Sequence, residues 1–263
     1  MAKRSAQARR RQQRQQGAYG AQYEESYEGD NIRRLFDEPQ WSPLGPDRGP
    51  HAERDRKYRK NIRAHNPAQQ SLIEAIDSAP LVFAAGAAGT GKTYIAVAKG
   101  VEALEAGRVR RIVLSRPAVE AGESLGFLPG DMEEKLSPYL RPLYDALCDR
   151  ISGKRLKALI AEGVIEIAPI AYMRGRTLNN AYIVIDEAQN CTYGQLKMLL
   201  TRLGWSSTMV VTGDPAQTDL LPGISGLEEA IKRLESLEQV ASVRFSRADV
   251  VRHPLVAEMI DAL

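Results

Sequence analysis

The sequence predicts an α/β fold, a mainly parallel sheet flanked by helices. Three observations carry this. Short apolar runs alternate with helix-period segments from Asn66 onward, a glycine-rich turn joins the first run directly to a helix, and a later run ends in two adjacent acids, Asp186 and Glu187. Strands separated by helices require crossover connections, which give a parallel sheet covered on both faces. Binding sites in such sheets open at the carboxyl ends of the strands.

The chain begins outside that pattern. "MAKRSAQARRRQQRQQ" carries six Lys or Arg and no acid, residues 17–65 hold nine basic and nine acidic side chains, and residues 66–263 hold 21 basic against 24 acidic. The first 60 or so residues show no sustained apolar period, so they cannot bury enough surface to offset the entropy of ordering. Residues 1–65 therefore read as a basic, largely disordered arm and linker, with "ERDRKYRKNIR" (53–63) as a second basic cluster. Such an arm suits two roles, capture of nucleic-acid phosphates by counterion release or a solvated tail that aids solubility.

From residue 66 to 263 the elements follow in order. Asn66 can cap a helix with Pro67 in its first position, and Leu72, Ile73 and Ile76 form the apolar stripe. "LVFAAG" (81–86) is a strand, the stretch 92–106 is a helix stopped by Gly107, and "RIVLS" (111–115) is the second strand. "RPAVEAGESLGFLPGD" then opens a proline-interrupted helical region reaching about residue 150. Strands at 164–168, 181–186, 208–214 and 240–245 complete a set of six. Between 186 and 208, Thr192 and Gln195 make a capping box, Leu196, Leu199, Leu200 and Leu203 share a helix face, and Gly204 is the expected stop.

Several classes are excluded. Cys148 and Cys191 lie far apart without Cys-x-x-Cys spacing, which argues against a structural zinc site or a disulfide framework and for reduced thiols in a cytoplasmic protein. No apolar run approaches the roughly 18 to 20 residues of a membrane helix, and no apolar core follows the charged N-terminus as in an export signal. No membrane partner is expected.

The chemistry is concentrated in three stretches. "GAAGTGKT" (86–93) fits G-x-x-x-x-G-K-[ST] between a strand and a helix. Alone, a glycine-rich turn is only a tight connection; with Lys-Thr at this spacing it is a phosphate loop. Gly86, Gly89 and Gly91 let the backbone N–H groups of Ala87, Ala88 and Thr90 and their neighbours turn around a β-phosphate. Lys92 adds positive charge toward the β and γ oxygens, and the Thr93 hydroxyl can ligate Mg²⁺.

"IVIDEAQN" (183–190) supplies the complement. Two adjacent carboxylates repel unless a cation joins them, so Asp186 is expected to hold Mg²⁺ and Glu187 to act as general base toward an attacking water. Their alternative use is capping of the next helix. "MVVTGDPAQTD" (209–219) adds a turn at the same sheet edge that presents Gln217, suited to sensing a γ-phosphate or orienting water.

The order of "GAAGTGKT", "IVIDEAQN", "GDPAQTDL" and "DVVRHPLV" closely resembles the PhoH-like ATPases, themselves similar to the motor core of superfamily 1 helicases. "SRPAVEAGESLGFLPGD" (115–131) and "YMRGRTLNNAYIVIDEAQN" (172–190) extend the resemblance across residues 66–263. It implies a RecA-like P-loop NTPase that binds ATP and Mg²⁺. Gln69 would read the adenine edge, and Arg252 would stabilise charge on the transferred phosphoryl group, with Arg247 as a nearby competitor. Arg116 corresponds to a region where helicases contact the nucleic-acid backbone, and Arg174 and Arg176 could meet phosphate of either ligand.

The resemblance further implies coupling of ATP hydrolysis to binding, unwinding or remodelling of single-stranded RNA, with DNA left open. Helicases of this group place ATP between two motor domains, whereas about 200 residues form only one. A homo-oligomer such as a hexameric ring is the natural repair. Two other readings differ in class, an ATP-switched binding protein in which hydrolysis is a timer, and a P-loop small-molecule kinase. The second gives Gln217 and Arg252 no obvious use.

Overall fold

The computed structural model of the chain describes residues 62–117, 132–251 and 259. The basic arm, most of the 115–131 signature and Arg252 lie outside these residues. In chain order the elements are α1 (Pro67–Ser78), β1 (Leu81–Gly86), α2 (Lys92–Glu105), β2 (Arg111–Arg116), α3 (Met132–Cys148), α4 (Gly153–Ala161), β3 (Ile165–Pro169), β4 (Ala181–Ile185), α5 (Tyr193–Leu200), β5 (Thr208–Gly213), α6 (Leu227–Leu234) and β6 (Val240–Phe245). Short 3-10 turns follow β3, β4 and β6.

The six strands form one sheet in the order β3-β2-β4-β5-β1-β6, and every registered pair is parallel. This is the mainly parallel α/β sheet that the alternation predicts, in the RecA-like P-loop form that the resemblance implies. Because all strands run the same way, Gly86, Arg116, Ile185, Gly213 and Phe245 end at one edge. Strand β5 lies between β1 and β4, so the glycine-rich turn and the acid pair are separated by one strand's width.

Burial explains why these runs become strands. Val82, Phe83 and Ala84 on β1, Ile112, Val113 and Leu114 on β2, and Ile183 and Val184 on β4 are each fully buried. Consecutive buried residues, not alternating ones, are what a sheet covered on both faces demands. Helix α2 presses closely onto that sheet: a Cβ on Gly100 would lie 2.7 Å from the Tyr182 ring, so only glycine fits.

The expected caps form. The Asn66 carboxamide oxygen accepts from Gln69 N–H at 2.8 Å, and Thr192 with Gln195 makes the reciprocal capping box of α5. Two expectations need correction. The proline-interrupted region contains one continuous helix, α3, that runs through Pro138 and Pro142. Each interior proline costs about 3 kcal/mol. Buried Leu140, Leu143, Tyr144 and Leu147 offset this at about 1.5–3 kcal/mol apiece.

Helix α5 stops at Leu200, before Gly204. The Thr201 hydroxyl and the Arg202 side chain bond back to the Met198 carbonyl, and Leu203 turns away to bridge Leu178. Gly204 serves close approach instead, since any Cβ there would collide with the Asn179 carboxamide and the Leu178 carbonyl. Among the described residues no helix is long and apolar enough to cross a membrane.

Candidate functional site

The glycine-rich turn leaves β1 at Gly86, whose φ of +133° and contact with the Phe245 carbonyl both exclude a side chain. Gly89 and Gly91 also have positive φ, at +78° and +85°, and Gly91 is the N-cap of α2. The loop thereby delivers Lys92 and Thr93 to the first turn of a helix, where backbone N–H groups and the dipole favour an anion. Lys92 is buried and donates to the Gly86 and Ala87 carbonyls, both at 2.7 Å. Burial pulls its pKa below the usual lysine value, while Asp214, Glu187 and Asp186 act in the opposite direction.

Asp186 meets this loop across β5. Its Oδ1 accepts from the Thr93 hydroxyl at 2.6 Å and from the Thr212 hydroxyl at 2.7 Å. Its Oδ2 faces Arg116 at 3.4 Å, and the same guanidinium lies 3.5 Å from Glu187 Oε1. Glu187 begins the 3-10 turn after β4 with φ of +52°, a left-handed conformation that a glutamate adopts only under constraint. The constraint includes Gln189, whose amide nitrogen donates to Glu187 Oε2 and approaches the Gln217 carbonyl at 3.4 Å, while its oxygen accepts from Asp214 N–H at 3.0 Å.

The turn after β5 closes the group. Asp214 Oδ2 accepts from the Ala88 N–H of the glycine-rich loop at 3.0 Å, and its Oδ1 accepts from Ala216 N–H at 3.1 Å. Gln217 is exposed and lines, with Lys92, Thr93, Asp186, Glu187 and Asp214, a cavity of about 250 Å³. A second cavity of about 720 Å³ adjoins it through Gly89, Gly91 and Tyr94, and is walled by Ile62, Gln69, Arg150 and Val251. The Arg150 guanidinium lies 5.6 Å above the Tyr94 ring. A further cavity of about 760 Å³ sits at the amino ends of the strands, around Pro80, Trp205 and Thr208, away from this chemistry.

Gln69 is buried in the wall of the larger cavity. Its Nε2 donates to the Thr90 carbonyl at 2.9 Å and its Oε1 accepts from His65 N–H at 2.8 Å. A carboxamide has two N–H donors and two lone pairs, so among the described residues one of each remains.

Thr93 and Asp186 are hard oxygen donors in contact, and among the described residues no group of three or more His, Cys, Asp or Glu could hold a metal ion. That donor set fits Mg²⁺, which takes one or two protein oxygens and completes its octahedron with phosphates and water.

The structure brings together Lys92, Thr93, Asp186, Glu187 and Gln217, with Gln69 alongside. Arg116 lies on the acid pair itself. Arg174 is exposed, and Arg176 is held bidentate by Glu166 of β3, which raises its pKa. Neither lines the two cavities. Arg247 is exposed in the turn after β6, and Arg252 is not among the described residues; the preceding Val251 donates its N–H to the Gly89 carbonyl at 3.0 Å.

Asp214, Gln189 and Thr212 escaped the sequence reading as site residues. Thr212 offered a signal, a hydroxyl inside an otherwise apolar strand. Asp214 and Gln189 sit in quoted motifs but reveal their partners only in three dimensions.

A family model described as PhoH-like protein matches residues 61–263. The PhoH-like protein of Bacillus subtilis (strain 168) is 54% identical over 204 residues, covering 77% of this chain and 64% of that protein. Protein PhoH of Escherichia coli (strain K12) is 48% identical over 212 residues, covering 80% of this chain and 60% of that one. The chain thus spans about three-fifths of the length of these curated relatives. Among solved structures, the large terminase of a thermophilic bacteriophage aligns at a TM-score of 0.49 and 12% identity, over 76% of this chain and 50% of that one. The Sulfolobus solfataricus SWI2/SNF2 ATPase core in complex with dsDNA aligns at 0.44 and 16%, over 77% and 51%.

Proposed function

Because this chain belongs to the PhoH-like protein family, we propose that its P-loop site binds ATP with Mg²⁺ and hydrolyses it, and that a homo-oligomer couples this to single-stranded RNA. The observation that carries the reading is the meeting of Thr93 and Asp186, 93 residues apart in sequence, at 2.6 Å beside buried Lys92. Three stretches distant in the chain enclose a single cavity of triphosphate chemistry.

Each residue then has a task. Backbone N–H groups of residues 86–93 surround the β-phosphate, and Lys92 exchanges its loop carbonyls for β and γ oxygens. Thr93 and Asp186 would hold Mg²⁺, which when bound would supply positive charge to offset that of the phosphates. Glu187 accepts the proton of the attacking water, and Gln217 orients that water or contacts the γ-phosphate. The remaining donor and acceptor of Gln69 suit the N7 and N6 edge of adenine, in the cavity that Gln69 shares with Gly89 and Tyr94. Arg252 stabilises charge on the phosphoryl group in transfer.

RNA coupling and assembly are supported less directly. The arm carries six basic residues and no acid in its first 16, a charge suited to a polyanion. Helicases with this order of motifs enclose ATP between two cores, an arrangement that a second subunit of this chain would reproduce.

Phosphate release from ATP by the full chain, with and without single-stranded poly(U), tests the proposal. Mg²⁺-dependent turnover that poly(U) raises, and that Lys92→Ala and Glu187→Gln both abolish, is expected. Unchanged turnover in both variants would overturn the site.

A second reading, an ATP-switched binding protein, is favoured by a particular feature. Lys92 holds loop carbonyls that a triphosphate must displace, so binding alone rearranges the loop. Full function in cells of the Glu187→Gln protein would select this reading over a motor.

A further inference from the structure

We propose that Arg116 is a positioning residue that clamps the acid pair, and that a nucleic-acid phosphate competes with that pair for its guanidinium. The inference rests on the RNA-coupled ATPase reading and assigns the coupling to one side chain.

Arg116 ends β2 beside β4, with Ser115 in register with Ile185 and its carbonyl accepting from Asp186 N–H at 2.8 Å. This places the guanidinium over residues 186 and 187, where its two terminal nitrogens reach one carboxylate each, at 3.4 and 3.5 Å. The other oxygens are already engaged: Asp186 Oδ1 by two hydroxyls and Glu187 Oε2 by Gln189. Among the described residues Arg116 is the cation that makes ion pairs with these acids. It therefore offsets the repulsion between neighbouring carboxylates and restrains Glu187 away from free rotation.

The clamp is built to open. The Arg116 side chain is 21% exposed and Glu187 is 34% exposed, so solvent and a polyanion reach the pair from outside. The following Pro117 is buried and restricts the backbone of Arg116 to extended conformations. Exchange of partners is thus a side-chain rotation, not a movement of the strand. A planar guanidinium binds carboxylate and phosphate with the same fork geometry, and it cannot satisfy both fully. When a backbone phosphate at the exit of β2 takes Arg116, Glu187 loses its cation and is freed to orient toward water. RNA stimulation of turnover follows from that exchange.

The test uses the full chain as wild type, Arg116→Gln, Glu187→Gln and the double variant. Basal turnover of Arg116→Gln is expected to rise about three- to tenfold, the scale of one ordinary hydrogen bond, and poly(U) then adds little. In nucleotide-free binding, Glu187→Gln is expected to tighten labelled poly(U) about threefold or more by releasing Arg116. That gain disappears in the double variant.

A wild-type stimulation ratio in Arg116→Gln, or an affinity gain that survives in the double variant, overturns the proposal. Absence of any poly(U) effect on wild type defeats the RNA reading instead, and basal turnover then decides: a rise supports the clamp, an unchanged or lower rate removes it. Arg116→Lys, which keeps the charge but not the fork, is read in the same way if Arg116→Gln fails to fold.

Discussion

Glu187 stands where its backbone is unfavourable, at φ of +52°, with each carboxylate oxygen held by a different neighbour. A residue kept there against its own preference is over-determined by its surroundings. If Glu187 is the proton acceptor proposed above, Glu187→Gln removes it yet keeps shape and reach, so turnover is expected to fall about 10²- to 10⁴-fold while ATP remains bound. Equilibrium ATP binding beside single-turnover phosphate release checks the separation. Cys191, just beyond this turn, behaves oppositely: it is fully buried, and burial pushes its thiol up to about 12. The folded state therefore holds a proton that the unfolded state releases above pH 9.0. Its contribution to stability is complete below pH 9.0 and is lost as pH rises toward about 12. Alkylation at neutral pH should label Cys148 in the native chain and Cys191 only after denaturation; rapid native labelling of Cys191 would contradict its burial.

At the scale of elements, what could be read from sequence is what local chemistry decides. All six strands, the caps at Asn66 and Thr192, and the strand-turn-helix around residues 86–93 were legible, because apolar runs, capping side chains and Gly-rich spacing act over a few residues. The continuity of α3 and the early end of α5 were not, because distant partners decide them: buried contacts of Leu140 to Leu147, and the bridge from Leu203 to Leu178. The site divides along the same line. Lys92, Thr93, Asp186 and Glu187 were legible as motif positions. The reach of Asp214 to Ala88 and the triple contact of Gln189 depend on β5 lying between β1 and β4, an order that no local pattern encodes. Gly86 tests how tightly elements fix the loop. Its positive φ and contact with the β6 carbonyl make Gly86→Ala doubly unfavourable, by about 1–3 kcal/mol or more. Urea unfolding should show that loss together with loss of ATP binding; a stable, ATP-binding Gly86→Ala protein would mean that the β1–β6 contact is looser than it stands.

Across the whole molecule, the decisive relation is between one core and the two cavities of its site. The two cavities meet at Gly89 and Gly91, and Val251, which walls the larger, is bonded to Gly89 of the same chain. The peptide leading into Arg252 is therefore fixed on its own phosphate loop, which favours an arginine acting within its own subunit over one supplied by a neighbour. Arg252→Ala alone is expected to lower turnover about 10³- to 10⁵-fold with ATP binding retained. Mixing decides whose site the arginine serves. If Lys92 and Arg252 act on the same chain, oligomers assembled from Lys92→Ala and Arg252→Ala subunits contain no site with both residues and stay inactive. If Arg252 crosses the boundary, an Arg252→Ala subunit keeps its own Lys92 and borrows the arginine of a Lys92→Ala neighbour, so turnover returns in proportion to mixed interfaces. Inactive mixtures are the expected result, and recovery of turnover would move Arg252 to the adjoining subunit while leaving Lys92, Thr93 and Asp186 where they are.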